Sequence, residues 1–266
     1  MALKDRGFTR AGSFRSPNLV IDYRGEQKRG RTYQLLTAPG PIGLLSLNLG
    51  TYGVIQQFAK DKDIYLKQYH LPLDIKKIAK TISRKVSEEE DRGLLKYNID
   101  EAIDLWETFK SDFRALLADP DIKTIGVDNC TEAYQLIRVA RFGKLDQVEK
   151  HLYGPVYVEF ASLFKSVFDR IEGKPIKNLI TIHEMKDEYK KFEDQNGRAK
   201  EMITGVRLLD GYKKFPHIPQ VNCECLKRDG EFIVKILEGR DTAAFDGVEL
   251  VGDDANFDTL KNLIIG

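Results

Sequence analysis

The sequence is poor in the features that mark secreted and membrane proteins. Three cysteines among 266 residues cannot build a disulfide scaffold, which favours a reducing compartment. Two of them, Cys223 and Cys225, share one face of an expected strand without further metal ligands beside them, so we interpret both as packing residues. No apolar run reaches the roughly 18 residues of a membrane span, and no apolar secretion signal opens the sequence. We therefore expect a cytoplasmic protein without a membrane partner.

An excess of charge of one sign is also nearly absent, but the charges are unevenly distributed. The formal net charge is +1, whereas residues 1–33 carry eight basic and three acidic side chains, and residues 238–258 carry one basic and seven acidic ones. A basic head and an acidic tail are typical of proteins with anionic ligands or partners, although both can equally be ordinary solvated surface. The Arg-rich start is also compatible with a transit peptide.

Short apolar runs alternate with helical patterns over the first two thirds of the sequence. Runs with β-branched residues predict strands at Leu19–Tyr23, Ile42–Leu47, Lys123–Asp128 and Asn178–His183. Apolar residues at helical spacing predict helices at 31–38, 51–60, 156–171 and from Ile99 to the stop at Asp119-Pro120. This alternation indicates an α/β fold with a mainly parallel central sheet.

The last third of the sequence has a different pattern. Val221–Leu226 and Phe232–Leu237 alternate around an Arg-Asp-Gly turn, which predicts a β-hairpin that extends the sheet antiparallel. Phe257–Ile264 is expected to close the chain as a helix. We divide the sequence into a flexible basic arm (1–17), a main domain (18–250) that contains a charged surface insertion (61–97), and an acidic C-terminal tail with a short helix (251–266).

The segment Leu19–Thr32 contains the most informative motif. An apolar strand leads into Gly25-x-x-x-x-Gly30-Arg31-Thr32 and a helix, which is the P-loop layout with arginine in place of lysine. Glycines let backbone N–H groups turn around phosphate oxygens, a cation at position 31 would meet the β- and γ-phosphates, and the threonine hydroxyl would ligate Mg²⁺. The alternative is a glycine-rich turn in a protein that binds no nucleotide. The predicted nucleotide-binding residues are Gly25, Lys28, Arg29, Gly30, Arg31, Thr32 and Tyr33.

Polar residues at two further strand ends suit the same chemistry. Asp128 follows a buried apolar run and would hold Mg²⁺ together with Thr32. Glu132, four residues on, would act as a catalytic residue that orients a water, or would simply favour the start of a helix. His183 would sense the γ-phosphate at the carboxyl edge where open α/β sheets bind ligands, or would make a local backbone contact.

On these residues the sequence resembles the phage RecA-like P-loop ATPases, a group of nucleotide-binding and single-strand-annealing recombination proteins. The resemblance covers residues 18–250 and is carried by Gly25–Thr32, LLTAPGPIGLLSLN, Ile99–Asp128, NLITIHEMKDEY and LLDGYKKFPHIPQVNCECLKRDGEFIVKILEGR. It implies a RecA-like P-loop NTPase core that binds ATP and Mg²⁺ and acts on single-stranded DNA in a phage-infected host cell. The implied partners are DNA, a single-strand DNA-binding protein and further copies of the chain. From its position at the end of the predicted hairpin, Arg240 is expected to reach the nucleotide of a neighbouring copy.

Two residues depart from the family pattern. Arg31 replaces the lysine with a longer, planar guanidinium, and Lys28 inside the loop would then supply an ammonium instead. Asn48 stands where RecA-like ATPases carry the glutamate that activates water, and an amide cannot accept a proton. Both changes predict weak or absent ATPase activity, so a degenerate P-loop protein with a structural or regulatory role is the alternative function. A small-molecule kinase is disfavoured because Arg84 and Arg92 are isolated in the insertion.

Overall fold

A nine-stranded sheet forms the centre of the fold. A computed structural model describes residues 18–48, 50–72, 97–143, 153–169, 176–193, 199–239 and 243–265. In chain order the elements are β1 (Val20–Gly25), α1 (Arg31–Thr37), β2 (Ile42–Ser46), α2 (Thr51–Phe58), β3 (Ile64–Gln68), α3 (Ile99–Ala118), β4 (Thr124–Asp128), α4 (Cys130–Phe142), α5 (Tyr153–Lys165), β5 (Asn178–Glu193), β6 (Ala199–Asp210), β7 (Val221–Arg228), β8 (Glu231–Gly239), β9 (Glu249–Val251) and α6 (Phe257–Ile265). The strand order is β3-β2-β4-β5-β1-β7-β8-β9, and β6 pairs with β5.

The strands from β3 to β7 in this order run parallel. Every residue of β1, β2 and β4 is buried, as expected of parallel strands that are covered by helices on both faces. β8 then returns antiparallel along β7. The α/β fold with a mainly parallel sheet and an antiparallel C-terminal hairpin is therefore confirmed.

Helices cover both faces of the sheet with separate apolar clusters. On one face α3, α4 and α5 contribute to a cluster that includes Trp106 and Phe160. On the other face α1, α2 and α6 pack on a cluster that includes Phe257, Cys223 and Cys225, which confirms the two cysteines as packing residues. None of the described helices is both long and apolar enough to cross a membrane.

The predicted insertion and the predicted C-terminal tail both contain residues of the sheet. β3 is an edge strand parallel to β2, so the start of the predicted insertion belongs to the sheet, while 73–96 and the predicted arm 1–17 lie outside the described residues. At the other end, the boundary predicted at residue 250 falls inside β9, which pairs with β8. The helix α6 that follows buries Phe257 and Leu260 completely, so it is part of the core.

β5 is longer than the predicted strand, which ended at His183. Its first part lies between β4 and β1, whereas its second part pairs antiparallel with β6, with Asp187 opposite Arg207 and Tyr189 opposite Ile203. We call residues 185–193 and 199–209 the β5–β6 arm. Its Tyr189 and Ile203 side chains are 58% and 53% exposed, so the arm presents apolar groups to its surroundings.

Candidate functional site

The loop between β1 and α1 contains two residues in the left-handed backbone region. They are Lys28 at φ 61° and Gly30 at φ 85°. A tight turn with left-handed residues can direct successive backbone N–H groups to one side, which makes a concave site for anions. The local geometry is therefore of the kind that the glycine motif predicts.

The two glycines of the motif are also required by packing. A Cβ added to Gly25 would lie 2.6 Å from the backbone oxygen of Cys225, and one added to Gly30 would lie 2.6 Å from Cδ1 of Phe232. Residues of β7 and β8 therefore lie in close contact with the loop. This close approach alone would select glycine at both positions, with or without a ligand.

A cavity of about 540 Å³ opens beside the loop. This volume is in the range of small-molecule sites. The lining residues come from the loop, the start of α1, the β2–α2 connection, α2, α4, β5 and β8: Gln27, Lys28, Gly30, Arg31, Thr32, Tyr33, Asn48, Gly50, Val54, Gln57, Glu132, Glu184 and Phe232.

Thr32 and Asp128 meet directly beside this cavity. The Thr32 hydroxyl donates to Asp128 Oδ2 at 2.7 Å, and the Thr51 hydroxyl lies 3.3 Å from the same oxygen. Asp128 ends β4, is 1% exposed, and has a raised pKa because burial outweighs these hydrogen bonds and the nearby Arg31 charge. Hydroxyl and carboxylate oxygens are ligands that Mg²⁺ accepts alongside phosphates, so this pair fits the predicted metal-binding role.

Two further carboxylates line the cavity on the side of β5 and α4. Asn129 caps α4 by accepting a hydrogen bond from the Glu132 N–H at 2.7 Å, which places Glu132 in the first turn of the helix. Burial, with Glu184 and Asp128 nearby, raises the Glu132 pKa to about 7. A carboxylate that titrates near neutral pH is suited to accept a proton from water.

Arg31 lines the cavity, and its guanidinium contacts the end of β5. Its Nη1 donates to the backbone oxygen of His183 at 2.6 Å, and its Nη2 lies 4.0 Å from Glu184 Oε1. The residue is 7% exposed, so this contact with the end of β5 fixes the guanidinium. Lys28 lines the cavity from the loop and has no carboxylate partner among the described residues.

The His183 side chain lies outside the cavity, in contrast to the predicted contact with a γ-phosphate. Its Nδ1 is 2.6 Å from Asp22 Oδ1, its ring packs on Phe215, and the side chain is completely buried. Burial raises the Asp22 pKa, but His183 and Arg24 outweigh it and lower the value to about 2. In this conformation the contact of His183 with the site is made by its backbone carbonyl, which accepts a hydrogen bond from Arg31.

The remaining predicted residues divide between the cavity and its surroundings. Tyr33 lines the cavity, with its ring stacked on Phe232 at a centroid distance of 5.4 Å. Asn48 also lines it, and its side-chain oxygen accepts the Gly50 N–H at 2.9 Å. Arg29 faces a different cleft beside β7, and Arg240 lies outside the described residues.

Two residues of the site were not predicted from the sequence, namely Thr51, which approaches Asp128, and Phe232, which lines the cavity. Thr51 follows β2 at the same sheet edge as Asp128, since Ser46 and Asp128 are paired across β2 and β4. Its position after a predicted strand was an available signal. Phe232 comes from β8, about two hundred residues along the chain from the loop, and no local pattern in the sequence indicates its contact with Gly30.

Comparisons with known proteins identify no relative: no family model and no curated protein matches the chain. In the described ranges, no three His, Cys, Asp or Glu side chains form a group that could hold a metal on their own. A Mg²⁺ ion at Thr32 and Asp128 would therefore need water or phosphate oxygens to complete its coordination.

Proposed function

We propose that the cavity beside the loop binds ATP with Mg²⁺. The observation that carries this proposal is the direct contact between Thr32 at the start of α1 and Asp128 at the end of β4. The loop backbone and Lys28 would contact phosphates, Thr32 and Asp128 would hold the metal, and Tyr33 with Phe232 would bound the far side of the site.

The strand order supports a RecA-like P-loop core for this site. β5 lies between β1, which enters the loop, and β4, which ends in Asp128. The three strands are parallel, so their carboxyl ends reach the same edge, where open α/β sheets bind ligands.

Hydrolysis is proposed to be slow. Asn48 cannot accept a proton, and Arg31 donates one of its N–H groups to the His183 carbonyl. Glu132, with its pKa near 7, is the side chain of the cavity best suited to activate a water.

A thermal-shift measurement with Mg-ATP tests the proposal. A micromolar ligand at millimolar concentration should stabilise the fold by about 4 kcal/mol. Thr32→Val should remove most of this shift, whereas Thr37→Val, at the other end of α1 and outside the cavity, should keep it. Equal shifts for both variants would contradict a metal-linked nucleotide at Thr32.

We further propose that the ATP-bound protein acts on single-stranded DNA in phage recombination or replication, as a homo-oligomer and beside a single-strand DNA-binding protein. The resemblance of residues 18–250 to the recombination proteins supports this, as does the basic segment at the start of the sequence. Filter binding of labelled single strands over a salt series tests it, because phosphate contacts weaken as salt rises. Undetectable binding at low salt would exclude this role.

A degenerate P-loop protein without ATPase activity remains the second candidate. The contact of Arg31 with the His183 carbonyl favours it, because one guanidinium N–H is then engaged by the protein itself. Absence of any Mg-ATP shift, in a protein that unfolds cooperatively, would select this function.

A further inference from the structure

A second cleft, of about 340 Å³, is lined by other residues of the same loop. The loop contributes Glu26 and Arg29, β6 contributes Arg207, and β7 contributes residues 224–228. Four of its side chains are basic and two are acidic, and we call it the basic cleft. One short loop thus lines two different sites, since its residues 27, 28 and 30 face the ATP cavity.

The basic side chains of the cleft differ in how they are paired. Glu26 accepts from Arg207 at 2.5 Å and from Arg29 at 3.1 Å, so one carboxylate ties the loop to the β5–β6 arm. Lys227 is exposed, lies 5.1 Å from the Phe232 ring, and has no carboxylate partner in the described parts of the chain. Arg228 pairs with Glu249 while 60% of its side chain stays exposed.

The β5–β6 arm, which borders the cleft, carries an exposed aromatic ring, that of Tyr189. Asp187 lies 3.3 Å from Arg207 and therefore marks the arm face that borders the cleft. Tyr189 is two residues further along β5, beyond a shift in the register with β6, and is 58% exposed. A cationic groove followed by an exposed ring is the combination that binds single strands, with phosphates on the cations and a base on the ring.

We propose that the basic cleft and the adjoining arm face bind single-stranded nucleic acid. Lys227, Arg228, Arg29 and Arg207 contact its phosphates, and Tyr189 stacks on an unpaired base. The choice of DNA as the ligand rests on the proposed function, but the location does not. Tyr189 distinguishes this ligand from an acidic peptide or a duplex, whose groups offer no exposed base to stack on.

Fluorescence anisotropy with labelled oligothymidine tests the location. The double variant Lys227→Gln/Arg228→Gln is compared with Arg114→Gln/Lys165→Gln, which removes the same charge from exposed positions on α3 and α5. The cleft variant should bind about tenfold more weakly, and its slope of log affinity against log salt should fall by about 1.4, for two lost phosphate contacts at about 0.7 each. The control should change less than about twofold.

The ring and the carboxylate give independent tests. Tyr189→Ala should weaken binding several-fold without a change in salt slope, Tyr189→Phe should restore it, and Tyr65→Ala on the edge strand β3 should have no effect. Glu26→Gln should tighten binding by freeing Arg29 and removing one of the two carboxylates that pair with Arg207, whereas Asp104→Asn, an equal charge change on α3, should not.

The outcomes separate this inference from the proposed function. If the wild-type chain binds oligothymidine and both double variants bind it equally weakly, the cleft is not the binding site, but the proposed role on DNA stands. If the wild-type chain binds none at low salt but keeps its Mg-ATP shift, both the cleft and the DNA role fail and nucleotide binding survives. If heparin and oligothymidine bind with equal affinity, and Tyr189→Ala changes neither affinity, the cleft is a general polyanion site. That result would overturn the assignment to single-stranded nucleic acid.

Discussion

The Thr32 hydroxyl donates a hydrogen bond to Asp128 Oδ2 at 2.7 Å, although the two residues are 96 positions apart in the chain. One starts the helix after the loop and the other ends β4, so the parallel sheet brings them to one edge. Among the described residues, the Thr51 hydroxyl is the one other hydroxyl that approaches the Asp128 carboxylate. Several consequences of this pair and its neighbours can be measured.

Asp128→Asn should change stability and ligand binding in opposite directions. Burial raises the Asp128 pKa, which means that the folded state disfavours its charge, while asparagine keeps an oxygen acceptor for Thr32. We expect the free protein to gain about 1 kcal/mol and the Mg²⁺-dependent part of the ATP shift to disappear. Thermal melts with and without Mg-ATP measure both effects. The exposed Asp104→Asn serves as the control and should alter neither.

The loop and Asp128 were predictable because each lies in a short local pattern. Gly25–Thr32 follows an apolar strand, and Asp128 ends another, so the sheet edge follows from the alternation of strands and helices. The direction of Arg31 was not predictable, since it depends on the His183 carbonyl of a strand that lies far along the chain. A long side chain has many rotamers, and tertiary contacts select among them.

β5 shows a second limit of local patterns. The apolar alternation stops at His183, and the following residues are mostly charged, so the sequence predicts an end there. The strand continues to Glu193 because β6 supplies backbone hydrogen bonds, which require no apolar side chains. The acidic segment near the C-terminus also belongs to the fold despite its charges. Buried residues such as Leu250 and Phe257 lie between its acidic side chains in the sequence.

Glu132 should make stability depend on pH. Its pKa is raised from 4.5 to about 7, mainly by burial, so the folded state binds a proton more tightly than the unfolded state. Stability should therefore fall as pH rises from about 4.5 to about 7 and then level off, by about 1–2 kcal/mol after allowance for solvent screening. Urea unfolding across this range measures it. Glu132→Gln should remove this component, whereas Glu101→Gln, in the first turn of α3, should retain it.

Arg31→Lys should increase affinity for Mg-ATP. The arginine is held by the His183 carbonyl at 2.6 Å, whereas a lysine ammonium is compact and carries a flexible stem that can turn to the phosphates. We expect about tenfold tighter binding, equivalent to about 1.4 kcal/mol. Isothermal titration measures the affinity. Arg29→Lys is the matched control because Arg29 faces the basic cleft, and an equal gain there would contradict the assigned geometry.

Lys62 should stabilise the fold through the end of α1. Its Nζ donates to the backbone oxygens of Leu36, Thr37 and Ala38 at 2.7–2.8 Å, which are carbonyls that the helix leaves unpaired. Lys62→Met should cost about 2 kcal/mol, because it leaves these acceptors without their shared donor. Urea unfolding tests this against Lys60→Met, two residues earlier and exposed, for which a change below about 0.5 kcal/mol is expected.

Lys28→Gly should stabilise the free protein and weaken nucleotide binding. Lys28 adopts φ 61°, a left-handed conformation that costs a residue with a side chain about 1 kcal/mol and costs glycine almost nothing. The substitution relieves this strain, but it removes the loop ammonium that faces the ATP cavity. Asp229, at φ 53° in the β7–β8 turn, provides a matched control, because Asp229→Gly should give a similar gain in stability without loss of the Mg-ATP shift. Urea unfolding and ATP titration of both variants separate the two effects. A loss of nucleotide affinity in both variants would show that backbone flexibility causes it. A loss in Lys28→Gly alone would show that the missing ammonium causes it.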